Sequence, residues 1–176
     1  MTPLANQSTS AAGSDHFLLW LSGAVVAAHL AIVGLLPGLT ERFQLGDRAW
    51  DRSAKLDELL AQTNLDGVLA ILFRFDAPGD YILFLPAYAL AGPAGVIAQN
   101  VLLLLVGLYY LHLLCETWFS TAIARLACIT WLLLPATTFH PHAFVSEAIC
   151  NPLLIAATWY AARMLAGERA ELRDAV

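Results

Sequence analysis

From Tyr81 to Cys115 the chain runs thirty-five residues without an Asp, Glu, Lys or Arg, and Phe17–Leu36 is another uncharged run, of twenty. At 1.5 Å per helical residue, twenty residues cover the roughly 30 Å hydrocarbon core of a bilayer. A backbone in that core must satisfy its own hydrogen bonds, which a helix does within one segment. Composition agrees: 59% of the residues are hydrophobic, 13% are charged and the mean hydropathy is +0.66, whereas a soluble domain carries about 25% charged residues. The net charge of −5 excludes the basic footprint of a nucleic-acid binder. The expected fold is a single all-α, polytopic membrane domain over 17–166, with four transmembrane helices and an external loop carrying amphipathic interfacial helices. The expected spans are Phe17–Leu36, Ala94–Leu114, about Phe119–Thr137 and about Ala143–Leu165.

The charge lies between the apolar runs. Glu41–Asp80 holds eight of the fourteen acids and five of the nine Lys/Arg residues, which reads as a water-exposed loop over about 39–80. Within it Arg48–Gln62 has helical periodicity, with Trp50, Leu56, Leu59 and Leu60 on one broad face and Asp47 in the N-cap position. Trp50 suits a headgroup-level anchor. Asn64–Gly67 reads as a turn and Val68–Phe75 as a second interfacial segment, too short to span. Thirty-five uncharged residues exceed one span and are cramped for two. Pro86, Gly92, Pro93 and Gly95 all fall in the first half of that run. Tyr81–Gly92 is therefore expected to be bent or re-entrant, with Gln99 and Asn100 facing the bundle for polar partners. Residues 1–16 read as a disordered tail and 167–176 as a charged one. The basic residues of the short segments place both termini in the cytoplasm and the loop outside, in the inner membrane if the source is bacterial.

Several residues could carry chemistry. Asp47 is either a plain helix cap or a base at the mouth of a membrane cavity. Glu147 opens the last apolar helix, where the dipole favours an acid by about 0.3–1 kcal/mol and where it could touch a substrate. His140 and His142 are either loop histidines or holders of a lipid phosphate. With Glu147 their spacing matches no recognised metal-ligand pattern, so no cofactor is expected. Arg74, between Phe73 and Phe75, is another phosphate candidate. His29 lies inside the first span with no partner evident at matching depth. Cys115, Cys128 and Cys150 contain no CxxC, which excludes a disulfide framework and the paired external cysteines of a thiol-oxidising quinone enzyme.

Gly46-Asp47-Arg48-Ala49-Trp50 after the first span, the Asp76–Ile82 stretch with Asp80 and Pro86, Gln99, and Ser146-Glu147 together resemble the N-terminal half of a GT-C glycosyltransferase, of the protein O-mannosyltransferase and aminoarabinose transferase type. Arg48 stands where that family has a second acid, and whole enzymes of the class have at least twice as many spans. The resemblance implies transfer of a sugar from a polyprenyl-phosphate donor to an external acceptor. Asp47 would be catalytic, and Glu147, Arg74, His140, His142 and Asp80 would bind substrate. The alternative is a non-catalytic multi-pass partner of a larger transferase or transporter. Either reading has the bilayer and a companion membrane subunit as partners, and no nucleic acid.

Overall fold

The structure, a computed structural model, describes residues 11–35, 47–74, 78–142 and 145–165, and among them it contains helices and no strand. In chain order these are α1 (Ala11–Leu35), α2 (Asp47–Leu60), α3 (Leu65–Leu72), α4 (Pro78–Trp118), α5 (Thr121–Leu133), α6 (Pro135–Phe139), a 3-10 turn at His140–His142, and α7 (Glu147–Leu165). Helix α1 begins at Ala11, inside the segment expected to be a tail. Two stretches are long and apolar enough to cross a membrane, His16–Leu35 and Tyr81–Trp118. A third arises if Thr121–Leu133 and Pro135–His142, bent by 67°, are counted as one broken span. Helix α7 carries Glu147, Asn151 and Arg163 and does not reach that standard, so the membrane-crossing helices are two to three by length and composition.

The local causes are visible in the residues. Asn64 caps α3, its side chain accepting from the Gly67 amide at 2.7 Å, so the expected turn at Asn64–Gly67 is the first turn of a helix. Ser120 caps α5 through Oγ. The break after α5 follows from Pro135, which has no N–H to continue the helix. The same ring pushes the preceding residue out of the helical region, and Leu134 is extended at φ −67, ψ 125.

Helix α4 is not a straight rod. Forty-one residues would measure about 60 Å, twice a hydrocarbon core, but Ala91 and Gly92 are non-helical. Gly92 sits at φ 59, a left-handed conformation that only glycine adopts without a Cβ penalty. Beyond it the chain doubles back. Gln99 Nε2 donates to the Leu83 carbonyl at 3.1 Å, eight residues on either side of Ala91. A Cβ on Gly95 would overlap the Ala87 carbonyl. A helix that continued straight would hold residues 83 and 99 about 24 Å apart. The two arms, 78–90 and 93–118, therefore form a tight helical hairpin, with Pro93 as the first residue of the second arm, where proline is favoured.

Two apolar clusters hold the domain. In the first, Leu56 and Leu59 of α2 and Ile71 of α3 pack on Tyr81, Phe84 and Tyr88 of the first arm, Val96 of the second and Ile149 of α7. The charged segment is thus fastened to the hairpin, and Tyr88 O–H donates to Asp57 Oδ1 at 2.9 Å. In the second, Val25 of α1 meets Leu104, Leu108 and Cys128. Helix α4 is the central element and packs most heavily on α7 and α5, whereas α1 touches it lightly.

Candidate functional site

The helix breaks decide which polar groups meet. The 67° bend at Pro135 turns α6 and the 3-10 turn across the bundle, which carries Pro141 and His142 into the interior, where both are buried. There His142 Nε2 lies 2.7 Å from Nδ1 of His29 on α1, with the rings tilted at a centroid distance of 4.9 Å. Asn100 of the second α4 arm, fully buried, donates from Nδ2 to the Pro141 carbonyl at 3.3 Å. Three elements are thus tied at one level by groups that would each be expensive to bury alone. His29 does have a partner at matching depth, across 113 residues. His142, expected in an open turn, is 1% exposed and is a member of this interior pair.

Beside the pair lies a small open cavity of about 20 Å³, lined by Asn100, Thr137, His140, Glu147 and Asn151 together with Leu104, Trp131, Pro141, Ala148 and Pro152. That volume holds about one water. Its lining residues include a carboxylate, two amides, a hydroxyl and an imidazole. Glu147 is exposed and starts α7, where its carboxylate lies at the positive end of the helix dipole. Asn151, one turn on, was not among the expected site residues; its i,i+4 spacing from Glu147 is the signal that could have found it. Thr137 and Trp131 had no comparable signal: Thr137 reaches the cavity through the bend at Pro135, and Trp131 through the packing of α5 on the bundle.

A second hollow lies between α1 and the second α4 arm. It is a groove of about 410 Å³, lined by apolar side chains such as Leu30, Val33 and Ala98, with His29 as its polar member. His29 is therefore both a lining residue of the groove and a member of the histidine pair.

Of the residues expected to bind substrate, His140 and Glu147 share the cavity and His142 adjoins it through Pro141. Arg74 is exposed just past the end of α3 and is not among the cavity residues. Asp47 is the first residue of α2; its side chain and that of Asp80 lie outside the described residues. Among the described residues no group of three His, Cys, Asp or Glu side chains could hold a metal ion.

At the opposite end of α4 a second polar group forms. His112 is fully buried, with Glu116 one turn away at 3.5 Å. Phe17 of α1 lies beside the His112 ring, and the Arg125 guanidinium sits 5.1 Å above the Phe17 ring. Tyr110, Trp159 and Tyr160 cluster on the outside, with Arg163 over Trp159 at 5.0 Å, the make-up of a membrane-interface belt.

Comparison with protein-family models, with curated proteins and with solved structures finds no match.

Proposed function

We propose that this chain is a GT-C-like membrane module, half or subunit of a glycosyltransferase, that takes part in moving a sugar from a polyprenyl-phosphate donor to an external acceptor. It inserts with four spans, α7 being the fourth, with the charged segment outside and both termini in the cytoplasm. The observation that carries the reading is the convergence of His140, Glu147, Asn100 and Asn151 on one cavity next to the helices of the charged segment. Leu56 and Leu59 of α2 pack in the same cluster as Ile149, two residues after Glu147. Sugar transfer to a hydroxyl needs a base at the acceptor oxygen and polar or cationic groups at the departing phosphate. Asp47, opening α2, is the base. Glu147 and His140 orient the sugar and acceptor at the cavity mouth, since 20 Å³ is far too small to enclose them. Arg74 and Asp80 contact the phosphate-bearing end.

The test uses membranes containing the chain together with whatever membrane protein co-purifies with it, supplied with radiolabelled polyprenyl-phosphate hexose. Asp47→Asn changes the first residue of α2 to a side chain of nearly the same shape and removes the base. Transfer should fall about 10²–10⁴-fold, with insertion unchanged and Asp51→Asn close to wild type. Full transfer by Asp47→Asn removes Asp47 from the chemistry.

A second reading, a non-catalytic partner subunit, is favoured by α1. Only 11% of its apolar window is buried, and Trp20, Leu30 and Leu35 are 80%, 67% and 78% exposed, a face that a companion helix would cover. Transfer that appears only when a companion is present, and is indifferent to Asp47, would establish that reading.

A further inference from the structure

We infer that the protein thins the bilayer on its α5–α7 flank, so that phospholipid headgroups and water descend to the height of Glu147, while the α1 flank keeps a full hydrocarbon thickness. The inference rests on the proposed reading of α7 as a span, and not on sugar transfer. Two rungs fix heights along the bundle. At the lower rung the Phe17 ring of α1 lies beside His112 of α4, with Arg125 of α5 over Phe17. At the upper rung His29 of α1 meets His142, and Asn100 of α4 meets the Pro141 carbonyl. Phe17 to His29 and Asn100 to His112 are both steps of twelve residues, about 18 Å of helix. The two helices therefore run in step, and each rung is level.

Above the upper rung the flanks differ. Helix α1 continues through six more uncharged residues to Leu35, so Phe17–Leu35 presents about 28 Å of apolar helix. On the other flank α5 ends at Leu133, Pro135 turns the chain across the bundle, and α7 begins with Glu147, which shares a cavity with Asn100. Fifteen uncharged residues separate Glu147 from Arg163, about 22 Å. At its lower end α7 reaches the lower rung, where Tyr160 bonds to Tyr110, two residues before His112. The missing length is therefore at the top. There Glu147, Cys150 and Asn151 are exposed, and the Glu147 carboxylate has no ion pair or hydrogen bond among the described residues. An unpaired carboxylate in hydrocarbon is expensive, whereas a leaflet yields to a short apolar face at modest cost. A leaflet lowered by about 6 Å on this flank satisfies both faces of the bundle. Lipid phosphates then stand beside Glu147 and His140, and a lipid-linked ligand reaches their cavity sideways.

The experiment uses Cys150 as a built-in probe of water. The full chain with Cys115→Ser, its Cys128 being fully buried, is placed in dioleoyl phosphatidylcholine nanodiscs and treated with a charged, membrane-impermeant maleimide. The comparison is Ala28→Cys in a Cys115→Ser/Cys150→Ser background. Ala28 is exposed beside His29 on α1, and Cys150, one turn into α7, stands no higher. With each rate divided by that of the same variant unfolded in dodecyl sulfate, Cys150 should label at least ten-fold faster. Equal rates, fast or slow, would overturn the thinning. Glu147→Leu/Asn151→Leu raises the apolar boundary of α7 and should slow Cys150 at least ten-fold; an unchanged rate would overturn the cause assigned here. Should that variant fail to insert, Cys150 against Ala28→Cys decides alone. Single cysteines at Ser53 and Ala170 in sealed vesicles report on α7 itself. Labelling from opposite sides with a slow Cys150 sinks the thinning and leaves the span, whereas labelling from one side sinks the span and the thinning with it.

Discussion

The bundle buries histidine at both ends, by two different means. At one end His29 and His142 come from elements 113 residues apart and meet at 2.7 Å, with Asn100 anchoring the adjacent Pro141 carbonyl. At the other, His112 stands beside Glu116 of its own helix at 3.5 Å, and neither of its ring nitrogens has a hydrogen-bond partner among the described residues. Both side chains are deep in apolar surroundings, but only the first is a bond between elements. A polar group bonded across elements fixes their relative position. A polar group whose charged neighbour lies one turn along the same helix fixes nothing beyond that helix. The first pair therefore ties the lightly packed α1 to the bend after α5, while α1 is held at the second end by the contact of Phe17 with the His112 ring and Arg125.

The largest effect should come from breaking that bond on one side. His142→Leu leaves His29 with a buried nitrogen unpaired, which costs about 1–3 kcal/mol, read as a lower thermal midpoint in detergent. The double variant His29→Leu/His142→Leu removes both polar groups and should recover most of the loss; a strictly additive pair would mean the two rings are not coupled. Next in size is Tyr88→Phe, which loses the hydrogen bond to Asp57. Because Asp57 is exposed and water can replace the tyrosine, the expected cost is about 1 kcal/mol. Its distinguishing readout is faster protease cleavage within α2, which that bond helps to hold on the hairpin. The smallest effect should be at the other end. His112→Leu removes a buried group that has no hydrogen bond to lose, so stability should stay within about 0.5 kcal/mol of wild type. A loss as large as that of His142→Leu would erase the contrast between the two ends.

Much of the local architecture could be read along the chain. Helix α2 falls where the apolar face of Arg48–Gln62 placed it, and Leu59 faces the bundle. The bend in the long uncharged run occurs at Ala91–Gly92, among the prolines and glycines that announced it. Gln99 and Asn100 have the protein partners that their position in an apolar helix required. Each of these rests on near neighbours in sequence: a period of 3.6, a ring without an N–H, a residue able to reach positive φ. The break at Pro135 has the same kind of local cause, but its residue sits inside an apolar run that continues on both sides, and hydropathy alone carried the expected third span straight through it.

The candidate site is a different matter. Glu147 and Asn151 are one turn apart and could be paired by spacing. His29, Asn100 and His142 lie on three separate segments, and no spacing relates them. They meet because Gly92 folds α4 back on itself, Pro135 turns the following helix inward, and the second arm of α4 supplies a common surface for α1, α5 and α7. By itself the sequence determined the apolar, helical, membrane-directed character of the chain and the bend near Gly92, though not the break at Pro135, because hydropathy and backbone stereochemistry act over a few residues. Only the tertiary structure decided that a histidine in the first span pairs with one in the 3-10 turn before α7. A bond closed across 113 residues depends on the angles of every break between them, and those angles are set by packing.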